Sequence, residues 1–335
     1  MGERGSHLSV SQVKIADSCS LKWRYKYVDQ LPAPEEAATK VFGTVVHLGI
    51  EHWYGPEEDE DAFRQRTMRN YVHDLWFEHL PMDVGIALRK CIEAEKGQVE
   101  LEQALLLVRP TLKSPRTTKA FEESDQKRVF EDARDQLLRA ADKCEDMRWP
   151  KDENAFQAYQ KSMFIANQLE ERWKRRPRPL VIEKEFHIEF AGIEIRGRID
   201  QIRADPFPNG QIHTEGVDVK TGRQLMTQMD AFLQAFLYNE ACYQDPFLAQ
   251  FLPEWWIFWM ARHNKPQRGV IDRERHGRIA KRILERVRNQ IQRNDYAPQY
   301  SQLCSWCDYR GLCEKELSLW PAGTDGVVLD LELAA

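Results

Sequence analysis

Alternating apolar and polar residues first become clear at Pro179 and run to about residue 263. Four stretches carry the β-branched, aromatic, period-two character of strands: 180–190, 193–204, 211–222 and 254–263. "AG" at 191–192 and "DPFPNG" at 205–210 supply turns between the first three. Between the third and fourth lies "RQLMTQMDAFLQAFLYNEACYQ" (223–244), where Leu225, Met229, Phe232 and Phe236 recur at helical spacing and predict one buried face. Antiparallel strands followed by a helical crossover predict an α/β fold with a mixed central sheet flanked by helices.

The remainder reads as helical. "LSVSQVKIADSCSLKWRYKYV" predicts one helix, capped by Ser9 or Ser11, with Val13, Ala16, Leu21 and Tyr25 on its buried side. A proline-containing linker, "LPAPEEAATK" (31–40), leads to a second helix over 41–55 with His47 in its middle. From 57 to 175 the pattern is helical, broken near 109–125, and reads as a large insertion. A basic helix, "RIAKRILERVRNQIQ", then runs into a cysteine cluster and an acidic, apolar tail. Four regions are expected: 1–56 with the N-terminal helices, a helical insertion at 57–178, the core sheet at 179–300, and the C-terminal cysteines at 301–335.

Composition narrows the class. No apolar run approaches the roughly 20 residues a membrane-spanning helix needs, and the first residues lack a signal-peptide core, so a cytoplasmic location is expected. In that reducing compartment, clustered cysteines read as metal ligands rather than disulfides. A net charge of −5 does not announce a nucleic-acid binder, but a local basic groove is enough to hold phosphates. The basic runs at 171–179 and 21–30 serve equally well as solvated helix ends, so charge leaves the partner open.

Chemistry concentrates on two consecutive strands. Asp200 in "GRID" and Asp218 in "DVKTG" stand where they can meet near one end of the sheet. Alternation puts Lys220 on the face of Asp218 and Val219 on the other. Two carboxylates can hold a hard cation such as Mg2+ or Mn2+, and a lysine beside them can position a nucleophile, a set suited to phosphodiester hydrolysis. Taken alone, the same three residues also describe a surface ion pair. Gly43 and His47 share one helix face, as do Gln234 and Tyr238. At the other end of the chain, Cys304, Cys307 and Cys313 have C-x2-C-x5-C spacing, which lacks the fourth ligand that zinc and iron–sulfur sites usually take. Cys91, Cys144 and Cys242 fall in expected helices without clustering and are given no role.

Together these motifs resemble the RecB-like branch of the PD-(D/E)xK nuclease superfamily. Its ordered signature is a G-x-x-x-H helix, a G-x-x-D strand, a (D/E)-x-K strand and a Q-x-x-x-Y helix. Gly43/His47, Gly197/Asp200, Asp218/Lys220 and Gln234/Tyr238 match it in order. The resemblance implies a restriction-endonuclease-like core. It makes His47, Asp200, Asp218 and the carbonyl of Val219 metal ligands and gives Lys220 the attacking water. Gln234 and Tyr238 would support the site or touch the substrate strand. Glu185 is a further candidate for lining it, or else a solvent-facing strand residue. A subset of the branch, including AddB and CRISPR-associated RecB-like exonucleases, has a [4Fe–4S] cluster held by one cysteine before the core and three after it. Cys19 stands at the first of these positions, although Ser20 replaces the proline that often follows it. Cys19, Cys304, Cys307 and Cys313 are the implied ligands, with zinc as the alternative occupant.

The implied activity is that of an Mg2+- or Mn2+-dependent deoxyribonuclease, an exonuclease acting on DNA ends in recombination or repair. No G-x-x-x-x-G-K-[ST] loop is present, so any unwinding would require a helicase partner, and a recombinase is the other expected associate. The competing readings are a catalytically silent DNA-binding or scaffold subunit and a zinc-stapled nucleic-acid-binding protein.

Overall fold

The computed structural model describes residues 7–55, 62–108, 125–150, 152–206, 212–269, 271–301, 304–305 and 307–318. The chain opens with a three-residue strand, β1 (His7–Ser9), and helix α1 (Val10–Ser18). Ser9 caps α1 in a reciprocal capping box with Gln12, each side chain meeting the other's backbone N–H. The expected single helix is in fact two. Cys19 is extended (φ −164°, ψ 105°), its sulfur accepts from the Lys22 N–H, and α2 (Ser20–Tyr27) starts afresh. Val13, Ala16, Leu21 and Tyr25 are buried as expected.

Most of the expected linker is helical as well. Helix α3 (Pro34–Tyr54) begins at a proline, which suits a first helical turn where the N–H has no partner to lose. Four helices follow: α4 (Met68–His79), α5 (Met82–Val108), α6 (Asp125–Asp142) and α7 (Ala155–Trp173). They share one apolar cluster with α3 and with Val217, Val219 and Trp259 of the sheet. Nearly all of the expected break at 109–125 lies outside the described residues. Cys144 is not helical but follows α6 in a loop.

The sheet is built from β2 (Val181–Phe190), β3 (Ile193–Pro206), β4 (Ile212–Lys220), β5 (Trp255–Met260), β6 (Lys265–Gly269) and β1. β2 and β3 form an antiparallel hairpin whose turn, Ala191 and Gly192, has both φ angles positive, the geometry that matches strand twist. Opposite β2, the long β3 pairs antiparallel with β4 and parallel with the short β1. Helix α8 (Gln228–Gln244) carries the chain across to β5, parallel to β4, and β6 closes the edge antiparallel. The sheet is therefore mixed and helix-flanked, as the pattern predicted.

Helices α1, α8 and α9 (Arg273–Arg293) cover the second face, in a cluster with Phe186, Ile188, Trp256 and Phe258. One expectation fails here. Leu225 precedes α8 and Met229 sits in its first turn, and both are half exposed, while the helix buries nearly every residue from Ala231 to Cys242. A helix walled in by sheet and neighbouring helices has no polar face for periodicity to reveal. Helix α10 (Arg310–Ser318) carries Cys313, and the acidic tail lies outside the described residues. Among the described residues no helix is long and apolar enough to cross a membrane.

Two glycines explain the tight packing near the hairpin. A Cβ on Gly197 would lie 2.4 Å from the ring of its cross-strand partner Phe186, and one on Gly216 would lie 2.2 Å from the ring of its partner Trp256. Each ring fills the space that a side chain would need.

Candidate active site

Register places the carboxylates. On β3, Asp200 stands opposite Glu183 of β2, between the pairs Ile182↔Gln201 and Lys184↔Ile199. Glu183 has φ +47°, a conformation that costs a non-glycine residue energy and that clusters at functional sites. From α3, His47 reaches over both: its Nδ1 lies 3.4 Å from Glu183 Oε1 and 3.4 Å from Asp200 Oδ2. These three side chains can each offer one ligand atom within 4.8 Å of the others. Gly43, one turn before His47, lets the helix approach the end of β4, because a Cβ there would come within 3.1 Å of Thr221 Oγ1.

Asp218 lies behind this trio and is 1% exposed. Its Oδ1 accepts from Gln234 Nε2 at 2.8 Å and from Tyr238 Oη at 3.2 Å. Its Oδ2 faces the Lys220 ammonium at 2.5 Å, but not in hydrogen-bonding alignment, and is otherwise unpartnered. The Val219 N–H donates to Asp200 Oδ2 at 2.8 Å, so the two acidic strands are tied at the site itself. Tyr238 is buttressed by the rings of Phe186 and Trp256, at 5.7 and 5.0 Å between centroids. The Gly197–Phe186–Tyr238 stack thus ends on the Asp218 carboxylate. Burial, followed by the charges of Asp218 and Asp200, holds the Tyr238 hydroxyl far above its ordinary pKa, so it stays a neutral donor.

The electrostatics are those of an acidic cleft awaiting positive charge. Burial, then the neighbouring Asp218, raises Asp200 to about 7, with His47 opposing. For His47 burial disfavours the imidazolium, but Asp200, Glu183 and Asp218 outweigh it and raise the ring to about 9. The cluster opens into a cavity of about 500 Å3 that Lys40, Thr44, Arg198 and Thr221 help to line. An imidazole with two carboxylates is a donor set for Mg2+ or Mn2+, and the buried Asp218 Oδ2, ion-paired to Lys220, lies close behind it. The residues present fit a divalent cation.

Every motif residue expected at the site converges on it: His47, Asp200, Asp218, Val219, Lys220, Gln234 and Tyr238. Glu185 does not. Its side chain is 78% exposed and pairs with Arg198 at 2.9 Å, whereas Glu183, two residues earlier, takes the place beside Asp200. Strand alternation puts both glutamates on one face, and the register, with Glu183 opposite Asp200 and Glu185 opposite Arg198, separates them.

The cysteines make a second focus. Cys19, Cys307 and Cys313 pack around Leu21, Tyr25 and Tyr309. Burial, then the facing sulfurs of Cys19, Cys304 and Cys307, pushes the Cys313 thiol up to about 11. Among the described residues these cysteines do not form a cluster of metal-ligand spacing as the His47 trio does, and all are free thiols. Around them the chain's two ends are joined: Ser20 Oγ donates to the Ala297 carbonyl at 3.0 Å, Tyr309 Oη to the Leu31 carbonyl at 3.1 Å, and Tyr25 Oη to Glu316.

Comparison with known proteins agrees with this geometry. The sequence model of the PD-(D/E)XK nuclease superfamily matches residues 7–112 and 116–314. No curated protein matches. Among solved structures, that of SSO0001 is 13% identical, the match covering 75% of this chain and 98% of that one with a TM-score of 0.30, a likeness too slight to bear on the site. The family match takes in nearly the whole described chain, including both halves of the acidic cleft and the cysteines at either end, and the chain belongs to the PD-(D/E)XK nuclease superfamily.

Proposed function

We propose that this protein is an Mg2+- or Mn2+-dependent DNA exonuclease with a structural iron–sulfur cluster. The observation that carries the reading is the meeting of His47, Glu183 and Asp200 at an open cavity with the Asp218–Lys220 pair immediately behind. His47, Glu183, Asp200 and Asp218 would hold the cation. When bound, such an ion neutralises charge developing on a phosphate and acidifies water. The chain's own residues supply the positioning. Gln234 and Tyr238 lock the Asp218 carboxylate by two hydrogen bonds. Lys220, still 26% exposed, holds its ammonium against Asp218 Oδ2, from where it would orient water toward phosphorus and stabilise the pentacovalent state. Attack forms a P–O bond to water and breaks the P–O bond to the leaving sugar oxygen, which must gain a proton.

The ordered motifs support the RecB-like assignment, and with it digestion from DNA ends during recombination or repair, beside a partner helicase or recombinase. The split spacing of Cys19 with Cys304, Cys307 and Cys313, together with the hydrogen bonds that join their two segments, supports a [4Fe–4S] staple. Such a staple closes a very long loop and adds ligand-binding energy to folding. The test is cleavage of end-labelled single- and double-stranded DNA with Mn2+ or Mg2+, wild type against Lys220→Ala. Metal-dependent shortening that the variant loses supports the nuclease. An inert wild type on every end structure points to the scaffold reading. Iron analysis and the visible spectrum of anaerobically purified protein distinguish a cluster from zinc.

A further inference from the structure

Lys14 reaches the site from α1 without belonging to any of the motifs. Its side chain is 22% exposed, and its Nζ lies 3.5 Å from Gln234 Oε1 and 3.8 Å from Asp230 Oδ1. Gln234 turns its other end inward, where Nε2 lies 2.8 Å from Asp218 Oδ1 and 2.7 Å from Tyr238 Oη. Both ends of one buried amide are thus committed, the oxygen to a lysine from the N-terminal helix and the nitrogen to the buried carboxylate.

We infer that Lys14 is a positioning residue that acts on Asp218 through the Gln234 amide. A carboxamide has two orientations, and the wrong one would set its oxygen against Asp218 Oδ1. Asp218 favours the observed orientation from the inside, and Lys14 favours it from the outside by giving the oxygen a cationic donor. The Lys14 ammonium also lies in the field of Lys220 and Asp218, and burial, then Lys220, holds its pKa below the ordinary lysine value. This inference rests on the nuclease reading and adds to the family's motif a residue from outside it.

The test uses the full chain with Lys14→Met, Lys14→Arg, Gln234→Ala and the Lys14→Met/Gln234→Ala double variant. Two quantities are read: Mn2+ affinity by calorimetry, and kcat and KM for DNA cleavage. Partners of ligating groups typically contribute about 10–100-fold to metal affinity or activity. Lys14→Met is expected to lower kcat by about that factor with KM for DNA little changed, and to weaken Mn2+ binding, while Lys14→Arg retains most of both. Added to Gln234→Ala, the Lys14 change should cost nothing further. Losses that add in the double variant overturn the inference, as does a Lys14→Met protein with wild-type kcat and Mn2+ affinity. A wild type that binds Mn2+ but cleaves no DNA refutes the nuclease reading instead, and the Mn2+ affinities of the variants then decide the role of Lys14.

Discussion

Filling the acidic cleft with a cation means expelling protons, and this makes metal binding steeply pH-dependent. Without metal, His47 titrates near 9 and Asp200 near 7, so at pH 6 both carry a proton that a cation must displace. At pH 8 Asp200 is ionised and His47 is still largely protonated. Displacing the His47 proton alone strengthens apparent Mn2+ affinity by about 100-fold between pH 6 and pH 8. If both protons leave independently the gain approaches about 1,000-fold, and coupling between the two groups places the result between these limits. The same shifts act on folding. Both groups bind protons more tightly in the folded chain than at their ordinary values of 6.5 and 3.8. The stability they contribute is therefore present at low pH. The Asp200 part is lost as pH rises from about 4 through 7, and the His47 part from about 6.5 through 9. The metal-free protein should melt lower at pH 9 than at pH 6, and Mn2+ should restore more stability at the higher pH. Calorimetric titration of Mn2+ in two buffers of different ionisation enthalpy counts the protons released. An affinity that changes by less than about 3-fold over this range, with heats independent of buffer, would refute the reasoning.

Other substitutions separate the site from its frame. Glu183→Gln should weaken Mn2+ binding by about 10–100-fold with folding intact, whereas Glu185→Gln, on an exposed side chain, should leave affinity unchanged; calorimetry on both variants checks the pair. Gly197→Ala drives a methyl group into the Phe186 ring and should cost about 1–3 kcal/mol in urea unfolding, and it should slow cleavage because Phe186 supports Tyr238. Cys307→Ala should lose bound iron and melt at a lower temperature; a normally stable variant with full iron content would remove the staple.

The sheet and the motif residues were legible in the sequence for different reasons. Long strands with apolar alternation announce themselves, and β2 to β5 begin and end close to their expected limits. The four paired motifs are local spacings, and local spacing survives folding. What escaped depends on contacts between distant segments. β1 is three residues long and exists only because Leu8 pairs with Ile195. Glu183 and Glu185 are indistinguishable by alternation, and only the position of Asp200 across the hairpin chooses between them. The break at Cys19 follows from its side chain capping the next helix, which apolar periodicity does not register. Lys14 belongs to none of the motifs, and its contact with Gln234 arises only from the packing of α8 beside α1.

The joining of the two ends has a consequence for how the protein is made. Ser20 bonds to Ala297 across 277 residues of chain, Leu31 to Tyr309 across 278 and Tyr25 to Glu316 across 291. The contacts of α2 with residues 297–316 therefore cannot form until that segment has been made, although α1 can already pack on β3 and α8. At about 5–20 residues per second that wait lasts some tens of seconds, with Leu21 and Tyr25 lacking their partner Tyr309 throughout. The acidic cleft, whose Lys14 contacts Gln234 and Asp230 of α8, does not wait for that junction. On this order the junction of α2 with residues 297–316 would be among the latest long-range contacts to form.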